Sequence, residues 1–382
     1  VQNGAETDVD CGGEGAPACE PGARCGAAGD CSSKVCSGGV CAAPRPDDAV
    51  VNGDETDVDC GGTAAPKCAA GKACKAHGDC TTDGCDYNGR CALARSCTAH
   101  EGGDTCGAGE TGDPAARHES CCASLPVPRP AAQGGAYVLD KYMITAGRMR
   151  AFVERTDGNL RAFAATNPPG WNTAWTARLP ATKQDTLAAL GPFEADRRGC
   201  WMQQGGARTY WQEAHPGFPQ DHTFQRYGRE ILDEKALNCV STYLLAAFCA
   251  WDGGRLASAD EVICAVRGTD NRRFPWGNTP DLENARTHSS WRAMKNGAYV
   301  WPRTALDNTA YMPAPGRFPL NTGPFGHMDL AGLFLHFTPT PRGNGEITMV
   351  WTGSVEGHAG DLTQDGRSPE TAYWMNGGRC AR

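Results

Sequence analysis

The segment from Asn238 to Asn278, NCVSTYLLAAFCAWDGGRLASADEVICAVRGTDNRRFPWGN, decides the fold of this chain. Ser241 is a good N-cap, and the apolar residues after it recur at helical spacing up to the glycine pair that starts at Gly253. Ser258 and Glu261 stand three residues apart, which is the spacing of a capping box. The segment therefore predicts two helices joined by a glycine turn and followed by an aromatic-proline loop.

This segment resembles the sulfatase-modifying, formylglycine-generating enzyme family. That family carries V-S-W, then C-x-W-x-G-x-R-L-P-T-E-A-E-W, then P-W-G-N in the same order. The matching residues here are Asn238, Val240, Ser241, Ala246, Cys249, Trp251, Gly254, Arg255, Leu256, Glu261, Ala265, Arg267, Gly268 and Pro275 to Asn278. The resemblance implies an α+β fold of the formylglycine-generating-enzyme type, which is C-type-lectin-like.

The resemblance extends over most of the C-terminal part of the chain. The family's opening D-K-Y motif matches residues 140–142, and its closing G-F-R-C-A-R is similar to residues 377–382. We therefore predict a domain at residues 131–382. Cys249 and Cys380 match the family's structural cysteine pair, so the resemblance implies a disulfide between the first helix and the chain end. Residues 167–229 show little periodicity and are expected to form long ordered loops.

Cysteine usage places the chain in an oxidising environment. The chain has 382 residues and 21 cysteines, and 16 of them lie in the first 122 residues. Such crowding favours a disulfide framework, because the spacings lack the C-x₂-C pairs of zinc sites. We predict a secreted or outer-surface protein. The chain starts at Val1 with no signal peptide, so we expect a processed or partial product.

Charge and hydropathy argue against a nucleic-acid partner and against a transmembrane segment. The net charge is −8, and residues 1–130 contain 20 acids against 10 bases. An acidic N-terminal third of this kind repels nucleic acid. No apolar run approaches the length of a membrane span, so no transmembrane segment is expected.

The chain opens with an internal repeat. N-G-x-E-T-D-V-D-C-G-G at residues 3–13 returns at residues 52–62, and each copy is followed by five further cysteines. The motif resembles modules of bacterial, especially myxobacterial, surface proteins. We predict a Cys-rich repeat at 1–44, a linker and second repeat at 45–94, and a Cys-rich collar at 95–130. Six cysteines allow fifteen pairings, and the sequence does not choose among them.

The remaining cysteines raise further pairing questions. The adjacent Cys121 and Cys122 are expected to bond to different partners, because a disulfide between neighbours is strained. One of them is expected to reach the C-terminal domain, where Cys200, Cys239 and Cys264 remain after the pair implied by the family. A catalytic thiol among these three is the alternative.

Alternating acidic residues in both repeats suggest calcium. Such side chains on a tight loop can converge on a hard cation, and Ca²⁺ is the candidate. A solvated acidic turn is the alternative. The candidate ligands are Glu6, Asp8, Asp10, Glu55, Asp57 and Asp59.

The copper chemistry of the family needs residues that this chain lacks. Formylglycine-generating enzymes oxidise a substrate cysteine with two cysteines that bind Cu(I), three and eight positions after the Ser of G-G-S. Counted from Ser354, those positions hold Gly357 and Leu362, and no cysteine occurs between residues 265 and 379. We therefore expect no copper and no formylglycine-generating activity, since soft thiolates are the ligands of Cu(I).

The family's structural calcium site is also altered. That family has Asn, Glu and Trp in a late motif, where this chain has Leu333, His336 and Phe337. Leucine offers no side-chain oxygen and histidine favours softer metals, so we expect this site to be lost.

A non-haem-iron site is a second enzymatic possibility. Histidine and carboxylate side chains together can hold iron. The candidates are His327, His336 and His358, with Asp329 or Glu356. Surface or hydrogen-bonded histidines are the alternative interpretation.

The sequence favours a structural or binding role over catalysis. We predict a secreted or cell-surface protein with a catalytically degenerate formylglycine-generating-enzyme-like domain, that is, a pseudoenzyme. Self-association, including as a subunit of an extracellular filament, or binding of a cell-surface protein or glycan are the expected interactions. The alternative is an oxidoreductase of the formylglycine-generating or non-haem-iron type with a non-standard metal site.

Overall fold

The chain separates into two units, Val1–Leu93 and Ala94–Arg382. The computed structural model describes residues 1–86, 88–97, 103–107, 118–191, 210, 229–279, 293–295, 298–300, 314–332, 335–352, 362–373 and 375–382. In the described residues, no helix is both long and apolar enough to cross a membrane.

Disulfides replace an apolar core in the first unit. Both repeats use the same pairing, in which the first cysteine bonds to the second, the third to the fifth and the fourth to the sixth. The buried cluster of each repeat is mainly cystine sulfur, as expected for units too small to bury an adequate core. In the first repeat a short hairpin pairs β1 (Cys36–Ser37) with β2 (Val40–Cys41).

A buried aspartate stabilises each repeat. The Asp30 carboxylate accepts hydrogen bonds from the backbone N–H groups of Gly13, Gly26 and Ala27. Asp79 does the same in the second repeat. These backbone hydrogen bonds lower the pKa of both carboxyl groups, so both aspartates stabilise the folded repeats while ionised and lose that contribution on acidification.

The collar cysteines pair among themselves. Cys106 bonds to Cys121 and Cys97 bonds to Cys122, so the expectation of different partners for the adjacent pair is confirmed. The expectation that one of them reaches the C-terminal cysteines is wrong. The collar loops are only 15 and 25 residues long, and their sulfurs are already satisfied locally.

Six α-helices lie among the described residues of the second unit, and side-chain caps start most of them. Thr145, Ser241 and Ser258 each accept a hydrogen bond from the N–H group three residues later. Glu261 completes the capping box that the sequence predicts. The helices are α1 (Ala146–Arg155), α2 (Leu160–Ala165), α3 (Lys183–Leu190), α4 (Arg229–Asp233), α5 (Thr242–Trp251) and α6 (Ala259–Arg267).

The expectation of loops without helices over residues 167–229 is wrong in its described part. α3 lies there, together with a 3₁₀ helix at Thr173–Arg178. Thr182 caps α3 by accepting a hydrogen bond from the N–H group of Asp185. This Thr-x-x-Asp spacing is the signal that could have predicted the helix.

Ten strands lie among the described residues of the second unit. They are β3 (Ser124–Val127), β4 (Tyr137–Asp140), β5 (Arg255–Leu256), β6 (Ala293–Lys295), β7 (Ala298–Val300), β8 (Leu335–Gly343), β9 (Glu346–Thr352), β10 (Leu362–Arg367), β11 (Asn376–Gly377) and β12 (Cys380–Ala381). Eight of them form two four-stranded sheets, one with the order β3-β4-β12-β5 and one with the order β10-β9-β8-β11. Within these two sheets, all pairings are antiparallel except β11 with β8.

α5 is the centre of the core. All ten of its residues are buried, so it is apolar on every side, as a fully enclosed helix must be. Phe248 and Trp251 of α5 pack their rings against Phe152 of α1. Residues of β8 and β9 belong to the same cluster. The segment that decides the fold therefore lies where the helices meet the second sheet.

Candidate functional site

The chain end is fastened to the core at α5. β12 lies between β4 and β5, and Cys380 bonds to Cys249 of α5 with an S–S distance of 2.03 Å. Both sulfurs are fully buried. The pair that the family resemblance implies thus forms a structural disulfide between α5 and β12.

A buried ionic cluster lies beside this disulfide. Arg148 of α1 donates to Asp140 at 3.2 Å and to Asp252 at 2.8 Å, and all three side chains are fully buried. Arg382 at the chain end reaches the same two carboxylates, and Ser96 of the collar accepts from the Arg148 Nε at 2.8 Å. The carboxylates are saturated by guanidinium groups, so the cluster is a structural joint between collar, helices and chain end.

A second buried polar group surrounds Arg379. Its guanidinium donates to the backbone carbonyls of Asp140, Lys141 and Met328, and the side chain is 1% exposed. Burial lowers the pKa of Arg379 to about 10, which leaves the side chain charged at neutral pH. The positive charge is therefore fixed inside the domain by carbonyl oxygens.

Two histidines and an aspartate lie near Arg379. Burial and the Arg379 charge lower the pKa of His327 to about 4 and that of His336 to about 3. Burial raises the pKa of Asp329 to about 6, although Arg379 and the N–H group of Gly316 favour its ionised form. Neither ring nitrogen of His336 has a hydrogen-bond partner in the described part of the chain. Both histidines are thus neutral core side chains at physiological pH.

These residues do not assemble into a metal centre within the described structure. His327, His336 and Asp329 do not bring three ligand atoms within 4.8 Å of one another, as a shared ion would require. His358 and Glu356 lie outside the described residues. The described candidates for the iron site therefore do not form one, because their ligand atoms do not converge.

Acidification is expected to destabilise this cluster. Both histidines stay neutral in the fold, whereas in the unfolded chain they take up protons near their ordinary pKa of 6.5. Asp329 acts in the opposite sense, since its raised pKa makes the folded state the better proton binder between about pH 4 and about pH 6. In this range the two histidines give the unfolded chain two more bound protons than the folded state, and the carboxyl group gives the folded state one more. The cluster should therefore lower the free energy of unfolding by about 1.4 kcal/mol per pH unit as the pH falls through that range.

Denaturant titrations at stepped pH measure this slope. The variant His336→Gln keeps a neutral polar side chain but binds no proton, so its slope should be shallower by about one proton. A variant slope equal to that of the unaltered protein would contradict the placement of His336 as a neutral core residue.

The position of the copper-binding thiolates offers no metal ligand. Ser354 and Gly357 lie outside the described residues. Leu362 begins β10, is half-buried and pairs with Thr352 of β9. An aliphatic side chain at one of the two positions has no atom that can bind Cu(I), so the residues present do not fit this cofactor.

The acidic residues of the repeats serve as turn caps. Asp8 accepts from the N–H groups of Val9 and Arg24, and Asp57 accepts from those of Val58 and Ala73. Backbone hydrogen bonds lower the pKa of Asp57 to about 2. Backbone N–H groups also donate to Glu6, Glu55 and Asp59, and Asp10 takes a left-handed backbone conformation.

These carboxylates do not converge in the described repeats. No three of them place their oxygens within 4.8 Å of one another. The expected geometry of a calcium loop is therefore absent among the described residues. Calcium binding itself stays a prediction.

Cys264 is the one free cysteine among the described residues. It lines a cavity of about 570 Å³ beside α6, together with Arg129 and Arg267. Burial raises the pKa of its thiol. A raised thiol pKa is the opposite of what an activated nucleophile needs. Cys239 is disulfide-bonded, and Cys200 lies outside the described residues.

A second concave surface, here called the α5 cleft, has a volume of about 410 Å³. It lies between the 3₁₀ helix, α3 and the start of α5. Sequence reasoning missed it, because its walls come from segments far apart in the chain. Its polar and aromatic lining residues include Arg161, Arg178, Asp185, Tyr243 and Glu370.

The fold and the core architecture agree with the comparison to known families. The profile of the sulfatase-modifying factor enzyme 1-like domain matches residues 101–341, which is more than half of the chain. The chain therefore belongs to the family of sulfatase-modifying factor, or formylglycine-generating-enzyme-like, proteins. The resemblance predicted from Asn238 to Asn278 and the α+β fold are both confirmed.

Two solved structures are similar to the chain at low identity. The crystal structure of CarF is 12% identical, with a TM-score of 0.36, and the match covers 68% of this chain and 98% of that one. PvdO from Pseudomonas aeruginosa is 14% identical, with a TM-score of 0.37, and covers 68% of this chain and 90% of its own. A comparison with curated proteins gave no match. At this level of similarity, neither structure indicates an activity for this chain.

Proposed function

We propose that this protein is a secreted or cell-surface binding and structural protein whose formylglycine-generating-enzyme-like domain is not catalytic. One observation carries the proposal. No cysteine occurs between residues 265 and 379, and the two positions of the copper-binding pair hold Gly357 and Leu362. A thiolate copper site cannot form without thiolates.

The surviving features of the domain are structural ones. Cys249–Cys380 and the Arg148 cluster both join distant segments, and neither offers an open ligand position. His336 is buried and neutral where the family has a carboxylate. The residues that hold the fold are thus kept, whereas those that would hold the metal are missing.

Disulfides support the proposed location. Nine disulfides join described residues, in the repeats, in the collar and at the chain end. Such cross-links persist in oxidising compartments, which suits the outside of a cell. The repeats would then serve as a protease-resistant stalk, and the domain would bind a copy of itself, a surface protein or a glycan.

A copper(I) titration tests the proposal. The purified protein, titrated anaerobically against a chromophoric Cu(I) chelator, is expected to leave the copper on the chelator. Soft thiolates are the ligands that would compete, and the one free thiol among the described residues is half-buried and has a raised pKa. The variant Cys264→Ser is the control, because it shows whether any weak binding comes from that thiol. One equivalent of tightly held Cu(I) in both proteins would contradict the proposal.

A further inference from the structure

The α5 cleft combines opposite charges in equal number. Arg161 and Arg178 face Asp185 and Glu370 among its lining residues, so the cleft carries no net charge. Arg178 and Glu370 form an ion pair of 2.9 Å whose side chains are 61% and 60% exposed. An exposed pair of this kind contributes little to stability, and its groups can exchange partners with a ligand.

Two of the four charged groups, Arg161 and Asp185, are held by hydrogen bonds within the chain. The Arg161 guanidinium donates to the carbonyls of Leu179 and Ala177 at 2.9 and 3.1 Å. Asp185 accepts from the hydroxyl of Thr182, the N-cap of α3. Because these two side chains are already ordered, ligand binding would cost little of their conformational entropy.

An aromatic series stands behind the polar groups. Tyr243 lines the cleft and meets Trp175 edge to face, with ring centroids 5.2 Å apart, and Trp175 meets Trp171 in the same way at 6.3 Å. Burial raises the pKa of Tyr243, and the Glu370 carboxylate adds to this shift. Leu179 and Leu244, which are both buried, also line the cleft.

These features select the chemistry of the ligand. An anion would meet two carboxylates, and a cation would meet two guanidinium groups, so charge disfavours both. Sugar hydroxyls both donate and accept, so one sugar can bond to arginine and carboxylate together while its C–H face packs on aromatic and aliphatic groups. A peptide that binds by strand addition would need a free strand edge, whereas these walls come from helix ends and loops.

We propose that the α5 cleft binds a neutral saccharide of one or two rings through Arg178, Glu370 and the Tyr243 wall. The volume of about 410 Å³ lies in the range of small-ligand sites. This inference rests on the proposed binding role and names its ligand class. No described group in it depends on a metal ion.

The test uses the full-length protein and defined sugars. An array of neutral, sialylated and sulfated oligosaccharides, together with a random peptide library, identifies the preferred probe. The best neutral sugar is then titrated calorimetrically, with and without a chelator. Binding should be unchanged by the chelator and at least about tenfold weaker in both Arg178→Ala and Glu370→Ala, since each loses hydrogen bonds to a charged group.

The matched control is Arg45→Ala. Arg45 also forms an exposed ion pair, with Asp47, but lies in the first unit. The Arg45→Ala variant should bind the sugar with the same affinity as the unaltered protein. Thermal unfolding of each variant shows that the fold is kept.

Each other outcome overturns the assignment. Absence of binding to any neutral sugar at millimolar concentration would do so. An affinity that is unchanged in both Arg178→Ala and Glu370→Ala would do so as well. Preference for peptides or for anionic sugars through the same residues would replace the ligand class. None of these outcomes changes the copper titration, so failure of the cleft assignment is separable from failure of the proposed function.

Discussion

Removal of the Cys249–Cys380 disulfide is expected to lower the free energy of unfolding of the second unit by about 5 kcal/mol. The two cysteines are 131 residues apart, and the chain entropy released in the unfolded state grows with the length of the closed loop. The double variant Cys249→Ala/Cys380→Ala tests this in a denaturant titration. For a domain of this size the midpoint of thermal unfolding should fall by about 10 °C or more.

The collar supplies a matched control. Cys106 and Cys121 are also buried, but their bridge closes only 15 residues, so Cys106→Ala/Cys121→Ala should cost about 3 kcal/mol. Both double variants replace two buried sulfurs, and the difference between them isolates the effect of loop length. Equal losses in the two variants would show that the long bridge does not restrain the unfolded chain.

Replacement of Arg148 by methionine is expected to cost about 3–5 kcal/mol, because it leaves a buried charge without its partner. Among the described residues, the only guanidinium left to Asp140 and Asp252 would be that of Arg382, whose side chain is a quarter exposed. Methionine fills similar space, so the loss reports charge and hydrogen bonding more than volume. The measurement is again the free energy of unfolding from denaturant titration.

An arginine of the same unit serves as the comparison. Arg367 pairs with Asp365 at 3.1 Å, and both side chains are about half exposed. Exposed pairs of this kind contribute little, so Arg367→Ala should leave stability nearly unchanged. If the two variants lose the same amount, the buried cluster is not the joint that its geometry indicates.

The local parts of the fold could be predicted from the sequence. The helix starts at Ser241 and Ser258 are as predicted, and Glu261 completes its capping box. These caps are predictable because they involve residues only three positions apart. The family resemblance placed Cys249 near Cys380, which no local pattern would do. α3 was missed although the Thr182 cap was present, because its apolar residues follow one another over 187–190 and do not form a face at helical spacing.

The buried polar groups could not be predicted, because they join distant segments. Arg148 meets Asp252 across 104 residues, and Arg379 reaches the carbonyl of Asp140 across 239. His327 and His336 carry the residue types of a metal site, and only their burial shows that they are neutral core groups. The α5 cleft is also invisible in the sequence, since Arg178 and Glu370 are 192 residues apart.

The turnover of a cysteinyl peptide tests the central claim most directly. The purified protein would be incubated with Cu(I), oxygen, a thiol reductant and a cysteine-containing peptide, and mass spectrometry would follow the peptide for the aldehyde product. Without thiolates at residues 357 and 362, we predict that the peptide is recovered with no aldehyde beyond a copper-only control. Repeated conversion of the peptide to formylglycine by the protein, and not by copper alone, would contradict a non-catalytic domain.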